Sequence, residues 1–136
     1  MKKQVCIKHS SDDTYRVIDD ILRYLDIIFV HGCEAVCKFN LYKDHYYLLN
    51  EVKKFSKYKI SKIKPTCSFV LHGEYFDVEL MVSRNEVKML LQMIVPNELN
   101  AVIFCESISM VLNDNDGDFV VIDTKNDKYK AIMALQ

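Results

Sequence analysis

Tyr75-Phe76-Asp77-Val78-Glu79-Leu80-Met81-Val82, followed by Ser83-Arg84-Asn85-Glu86, is the stretch that decides the fold class. Phe76, Val78, Leu80 and Val82 alternate with Asp77 and Glu79, a period of two that puts apolar side chains on one face of a strand and carboxylates on the other. A helix would not separate them. Ser83 and Glu86 then have the spacing of a capping box, and Val87, Leu90, Leu91 and Ile94 recur at helical spacing before Pro96 stops the run. A strand wet on one face that leads into an amphipathic helix points to an antiparallel sheet with helices on one side.

The flanking sequence extends this pattern. A first strand is expected at residues 4–8, with Val5 and Ile7 on one face. Ser10 or Ser11 offers an N-cap for a helix over 12–26, with Asp12 and Asp13 in its first turn and Ile18, Ile21, Leu22, Leu25 and Ile28 as its apolar stripe. Residues 27–31 and 34–39 read as two short strands around His31-Gly32, and Tyr42, Tyr46, Leu49, Val52 and Phe55 mark a helix. Strand, turn, strand and helix return at 67–71, His72-Gly73, 75–82 and the helix after Ser83. A third version runs through 101–112, a turn ending at Gly117, 118–123 and a short terminal helix opened by Thr124-Lys125-Asn126-Asp127. With few identities between the units, this recurrence is expected of hairpins and helices in such a domain without duplication. The prediction is one α+β domain over 1–136, a mostly antiparallel sheet built from hairpins with three to four helices packed on one side. No Pro/Gly/Ser-rich linker interrupts it.

Composition narrows the function classes. The chain has 136 residues, 50% hydrophobic and 27% charged, enough to bury a core without staples. Its apolar runs are far shorter than the roughly 18 residues a membrane helix needs, and Lys8, His9, Asp12 and Asp13 spoil a secretory signal. Five cysteines, an odd number mostly flanked by apolar residues, read as reduced and mostly buried thiols. A cytoplasmic protein with no membrane association is expected.

The net charge of −1 hides an asymmetry: residues 1–64 hold 13 Lys plus Arg against 8 Asp plus Glu, and residues 65–136 hold 5 against 11. The first part is basic and the second acidic. Such a separation either serves attraction within the fold or presents two faces to different partners.

Reaction chemistry finds little support. Asn113-Asp114-Asn115-Asp116-Gly117-Asp118 resembles a calcium loop in composition, but with Gly117 at its sixth position the first ligand would be Leu112. A hairpin turn accounts for the same letters. His31, Cys33, Cys37 and Cys67 lack the paired spacing of a zinc site. Cys33, Cys67 and Cys105 coexist with four histidines without a nucleophile signature, and Asp77 with Glu79 on a wet strand face has no dry pocket to raise a carboxyl pKa. No phosphate loop, nucleophile elbow or dinucleotide fingerprint is present. No catalytic residue, metal or cofactor is expected.

Two surfaces remain. Residues 53–64 carry six lysines with Phe55 and Tyr58 between them. Lys53, Lys54, Lys57, Tyr58 and Lys59 would suit a nucleic acid, by phosphate attraction and base stacking. The absence of arginine there and an overall pI near 6.4 weigh against that use, and lysines at a helix C-terminus and on a protected edge strand explain them otherwise. The other surface is acidic: Glu74, Asp77, Glu79, Asp114, Asp116 and Asp118, with Tyr42, Tyr46, Tyr47, Tyr58 and Tyr75 more than a small core can bury. The expected function is therefore a non-catalytic protein-binding protein, of inhibitor, immunity or chaperone type, that holds a basic partner protein through these carboxylates. A nucleic-acid-associated regulator is the alternative.

Overall fold

The computed structural model describes residues 1–29, 32–64 and 73–136. The strand expected at 67–71, together with Cys67, His31 and His72, lies outside them. The fold is α+β. Seven strands, β1 (Lys2–Cys6), β2 (Ala35–Leu41), β3 (Tyr58–Ile63), β4 (Tyr75–Val82), β5 (Ala101–Cys105), β6 (Ile108–Asp114) and β7 (Gly117–Asp123), form one antiparallel sheet in the order β1-β7-β6-β5-β2-β4-β3. Among the described residues four α-helices accompany it: α1 (Thr14–Ile28), α2 (Leu49–Val52), α3 (Val87–Ile94) and α4 (Tyr129–Met133).

The period of two in β4 is realised as expected: Val78, Leu80 and Val82 are buried, and Asp77 and Met81 are exposed. Cross-strand registry carries this inward face across the sheet, through Phe39 opposite Val78, Ala101 opposite Phe39 and Leu112 opposite Ala101. Ile21, Leu25 and Ile28 of α1 and Leu90, Leu91 and Ile94 of α3 complete a continuous core from the other side. The outward face of the sheet carries Lys38, Lys59, Asp77, Glu79, Phe104 and Met81. Among the described residues its two outermost strands are β1 and β3, where Lys2, Lys3, Lys59 and Lys62 discourage pairing with another chain.

Several local expectations are corrected. Helix α1 starts two residues later than expected because Asp13, not Ser10 or Ser11, is its cap, accepting from the N–H groups of Tyr15 (3.0 Å) and Arg16 (3.2 Å). It also runs on through Ile28, with the Phe29 N–H still bonded to the Leu25 carbonyl, so residues 27 and 28 are helix and not strand. Burial of Ile28 against the core outweighs the β-branched run that suggested otherwise. The helix expected over Tyr42 to Phe55 is mostly a 3-10 turn, Lys43–Leu48, followed by the single turn α2. The strand expected at 101–112 is two strands, folded back at Glu106-Ser107.

These corrections also dissolve the apparent threefold recurrence. Strand β2 pairs with β4 and β5 and has no hairpin mate from residues 27–29, so the first unit is not built like the third. Among the described residues, no helix is long and apolar enough to cross a membrane.

Candidate functional site

One rim of the sheet gathers most of the candidate residues. β2 ends there at Leu41, β4 begins there at Tyr75, β5 begins at Ala101, and the β6–β7 hairpin turns there at Asn115-Asp116. Glu74 and Asp77 thus lie toward the same end of the sheet as Asp114, Asp116 and Asp118. They are not side by side: β5 and β2 intervene, three strand spacings or about 14 Å.

Two of the three carboxylates in and just before β4 are in ion pairs. Glu74 pairs with Lys62 at 3.2 Å and Glu79 with Lys38 at 3.9 Å, because β4 from the acidic part of the chain is inserted between β2 and β3 from the basic part. Asp77 is exposed between Asn40 and Ser61, in a shallow cleft of about 310 Å³ that also holds Lys38, Lys59 and Glu79. Charges of both signs meet there, so this region is not an acidic face.

The β6–β7 end differs. Gly117, at φ +90, supplies the left-handed residue the tight turn needs, and the Asp116 N–H donates to Asp114 Oδ2 at 3.2 Å. Asn113, itself at φ +58 in a bulge, donates from Nδ2 to the Leu99 carbonyl at 2.8 Å and ties the 95–100 loop to the hairpin. That loop brings in Glu98, which the sequence does not mark as a site residue. Glu98, Asp114 and Asp116 line an open cleft of about 490 Å³ together with Cys6, His9 and Asp118. None of these three carboxylates has a Lys or Arg partner among the described residues. Tyr47, 61% exposed, lines a separate cleft with Met93 and Asn97, and its hydroxyl donates to Oδ1 of Asn97, the residue before Glu98.

The other tyrosines of the rim are braced: Tyr46 donates to the Glu74 carbonyl at 2.8 Å and packs edge-on against Phe76, and the Tyr42 and Tyr75 rings lie 5.3 Å apart. Tyr58 sits at the opposite rim.

Asp118 has a different task. Its Oδ2 is 2.7 Å from His9 Nε2, its Oδ1 accepts the Asn113 N–H at 2.7 Å, and His9 Nδ1 reaches Asp20 of α1 at 3.2 Å. Each ring nitrogen of His9 thus meets one carboxylate, and the imidazole fastens α1 to the hairpin. Replacing His9 with Ala leaves two half-buried carboxylates facing a void. Thermal unfolding at neutral pH is expected to show a loss of about 2 kcal/mol, some 5–8 °C in Tm. An unchanged Tm would show that solvent replaces the imidazole at no cost.

The lysine segment is also engaged within the fold. Lys54 meets Glu51 at 3.1 Å, Lys57 meets Glu34 at 2.9 Å, and Lys59 stands directly across from Glu79. Lys53 and Tyr58 are exposed. Paired lysines release fewer counterions to a phosphate backbone, so the pairing reduces what this segment offers a nucleic acid.

Among the thiols, Cys6 is exposed, Cys33 half-buried, and Cys37 and Cys105 buried. Burial pushes the Cys37 thiol well above its ordinary range, which suits an inert core residue. Among the described residues, no group of three or more His, Cys, Asp or Glu side chains is arranged to hold a metal ion. Comparison of the chain with protein-family models, with curated proteins and with solved structures gives no significant match.

Proposed function

We propose that this chain is a small, non-catalytic protein-binding protein, of the inhibitor, immunity or chaperone type, that holds a basic partner at the acidic rim of its sheet. One observation carries the reading: Glu98, Asp114 and Asp116 line one cleft, and among the described residues none of them has a Lys or Arg partner, whereas Glu74 and Glu79 are paired with Lys62 and Lys38. Unpaired carboxylates on a rim attract a cationic surface at a distance and repel acidic competitors. The contacting set is therefore narrower than the sequence suggests. Asp114 and Asp116 remain in it and Glu98 joins it. Glu74 and Glu79 serve the sheet, Asp118 serves the hairpin, and Asp77 lies across the sheet among lysines.

The test is affinity capture from extracts of the native host, with the wild type beside a Glu98→Lys, Asp114→Lys, Asp116→Lys triple variant, followed by kinetics on the retained protein. The expected result is a partner of high pI whose association rate falls at least tenfold for the triple variant at low salt, a gap that narrows as salt rises. Equal retention of the same partner by both proteins would overturn the proposal, as would a retained partner that is acidic.

A further inference from the structure

At the rim opposite the acidic one, two cysteines 72 residues apart in sequence meet. Cys33 precedes β2, Cys105 closes β5, and their sulfur atoms are 3.7 Å apart. We propose that Cys33 and Cys105 form a redox site, a dithiol that a peroxide converts to an intramolecular disulfide and that a small thiol restores. The site is independent of the binding surface.

Three features support it. The first is reach. The sulfurs are in contact, and a covalent bond needs roughly 2.05 Å, a gap that side-chain rotation and a small backbone adjustment can close. Cys33 lies outside the β2 ladder, next to Gly32 at φ +81 with open space around its Cα, so its backbone is not held by strand pairing. The second is asymmetry. Cys33 is half-buried and open to a small oxidant, whereas Cys105 is 2% exposed. Burial, its contact with Cys33 and the nearby Glu106 push the Cys105 thiol up to about 11, with Lys128 pulling the other way. The first nucleophile is therefore Cys33. The third is selectivity among the described cysteines: Cys6 lies on the acidic rim and Cys37 inside the β2 core face, so neither competes for Cys33 without unfolding.

The reaction balances with a peroxide as oxidant. The Cys33 thiolate attacks one peroxide oxygen, the O–O bond breaks, and Cys33 becomes a sulfenic acid as the first water leaves. The Cys105 sulfur then attacks the Cys33 sulfur, the S–O bond breaks, the S–S bond forms, and the thiol proton leaves with the hydroxyl as the second water. Two electrons pass from the sulfurs to the peroxide. The cross-link would join the turn before β2 to the end of β5, beside the Ile28 carbonyl to which both the Cys105 thiol and Lys128 Nζ donate.

The experiment treats the reduced full-length chain with one equivalent of hydrogen peroxide and follows it by intact mass, peptide mapping and thermal unfolding. The expected product is a monomer lighter by roughly 2 Da, with titratable thiols reduced by two from five, a Cys33–Cys105 peptide, and a Tm raised by roughly 5–10 °C that dithiothreitol reverses. Cys6→Ser should behave like the wild type. Cys33→Ser, chosen because this position is half-exposed and tolerates the change better than Cys105, should give neither the mass loss nor the Tm rise. A wild-type product cross-linked only between chains or through other cysteines would overturn the proposal, as would oxygen addition without loss of two hydrogens. So would a Cys33→Ser protein that still gains the Tm rise.

Discussion

Leu91→Ala is expected to lower the free energy of unfolding by about 3–4 kcal/mol, some 10 °C in Tm, whereas Tyr15→Ala should leave Tm within a degree or two. Leu91 is 0% exposed in α3, the helix that bears on both α1 and the inward face of the sheet; Tyr15 is 76% exposed in α1. Truncating Leu91 removes three carbons from water-free packing and leaves a cavity that neighbours such as Leu90 and Ile94, already fully enclosed, cannot collapse to fill. Denaturant titration of both variants checks this. A Leu91→Ala loss below about 1 kcal/mol would mean that α3 is not seated on the sheet as described.

The parts of the fold that were legible in the sequence are those whose signal is local. β4 and α3 could be read because alternation, capping box and helical stripe all fall within twenty residues and agree with each other. The outermost position of β3 among the described strands could be read from Lys59 and Lys62, since a sheet edge is where such charges belong. The β5–β6 turn could not. It is built on Glu106 at φ +54, a left-handed position held by a residue with no turn preference, where Gly, Asn or Asp would have announced it.

The same division explains the site. Asp114 and Asp116 stand out because a run of Asn, Asp and Gly marks a hairpin tip. Glu98 does not, because its neighbours are set by the placement of β5 between β2 and β6 and by the Asn113 amide that holds the 95–100 loop. Strand order also decided the fate of the charge asymmetry. A basic first part and an acidic second part are compatible with two opposed faces or with mutual neutralisation. Insertion of β4 between β2 and β3 neutralises one end of the sheet, through Lys62–Glu74 and Lys38–Glu79, and leaves the β6–β7 end acidic. No window of sequence contains that outcome, since it depends on pairing between segments far apart.

Glu86 provides the second large effect, one that depends on pH. Its carboxylate accepts from the Ser83 N–H (3.2 Å) and hydroxyl (3.1 Å) at the start of α3, and from the Ser56 N–H (3.0 Å) and hydroxyl (3.2 Å) in the loop before β3. One side chain thus closes the capping box and joins two loops that no strand pairing connects. Partial burial raises the Glu86 pKa, but the hydrogen bonds from Ser56 and Ser83 more than offset it, so the net displacement is downward. A carboxyl group with a lower pKa in the folded chain binds its proton more weakly there than in the unfolded chain. Its stabilising contribution is therefore complete above the unfolded pKa of about 4.3 and is lost as pH falls through the lower folded value. Glu86→Ala should cost about 2 kcal/mol at pH 7, near the upper end for a single cap because four donors lose their acceptor, with allowance for solvent reaching part of the carboxylate. Glu86→Gln keeps an acceptor oxygen and should cost about half as much. The gap between wild type and Glu86→Gln should stay constant from pH 7 down to about 5 and then shrink toward pH 3, as the wild-type carboxylate takes up its proton and the two side chains become alike. Urea unfolding across that range measures the gap directly. If it stayed flat down to pH 3, the contribution of Glu86 would be one of shape and not of charge.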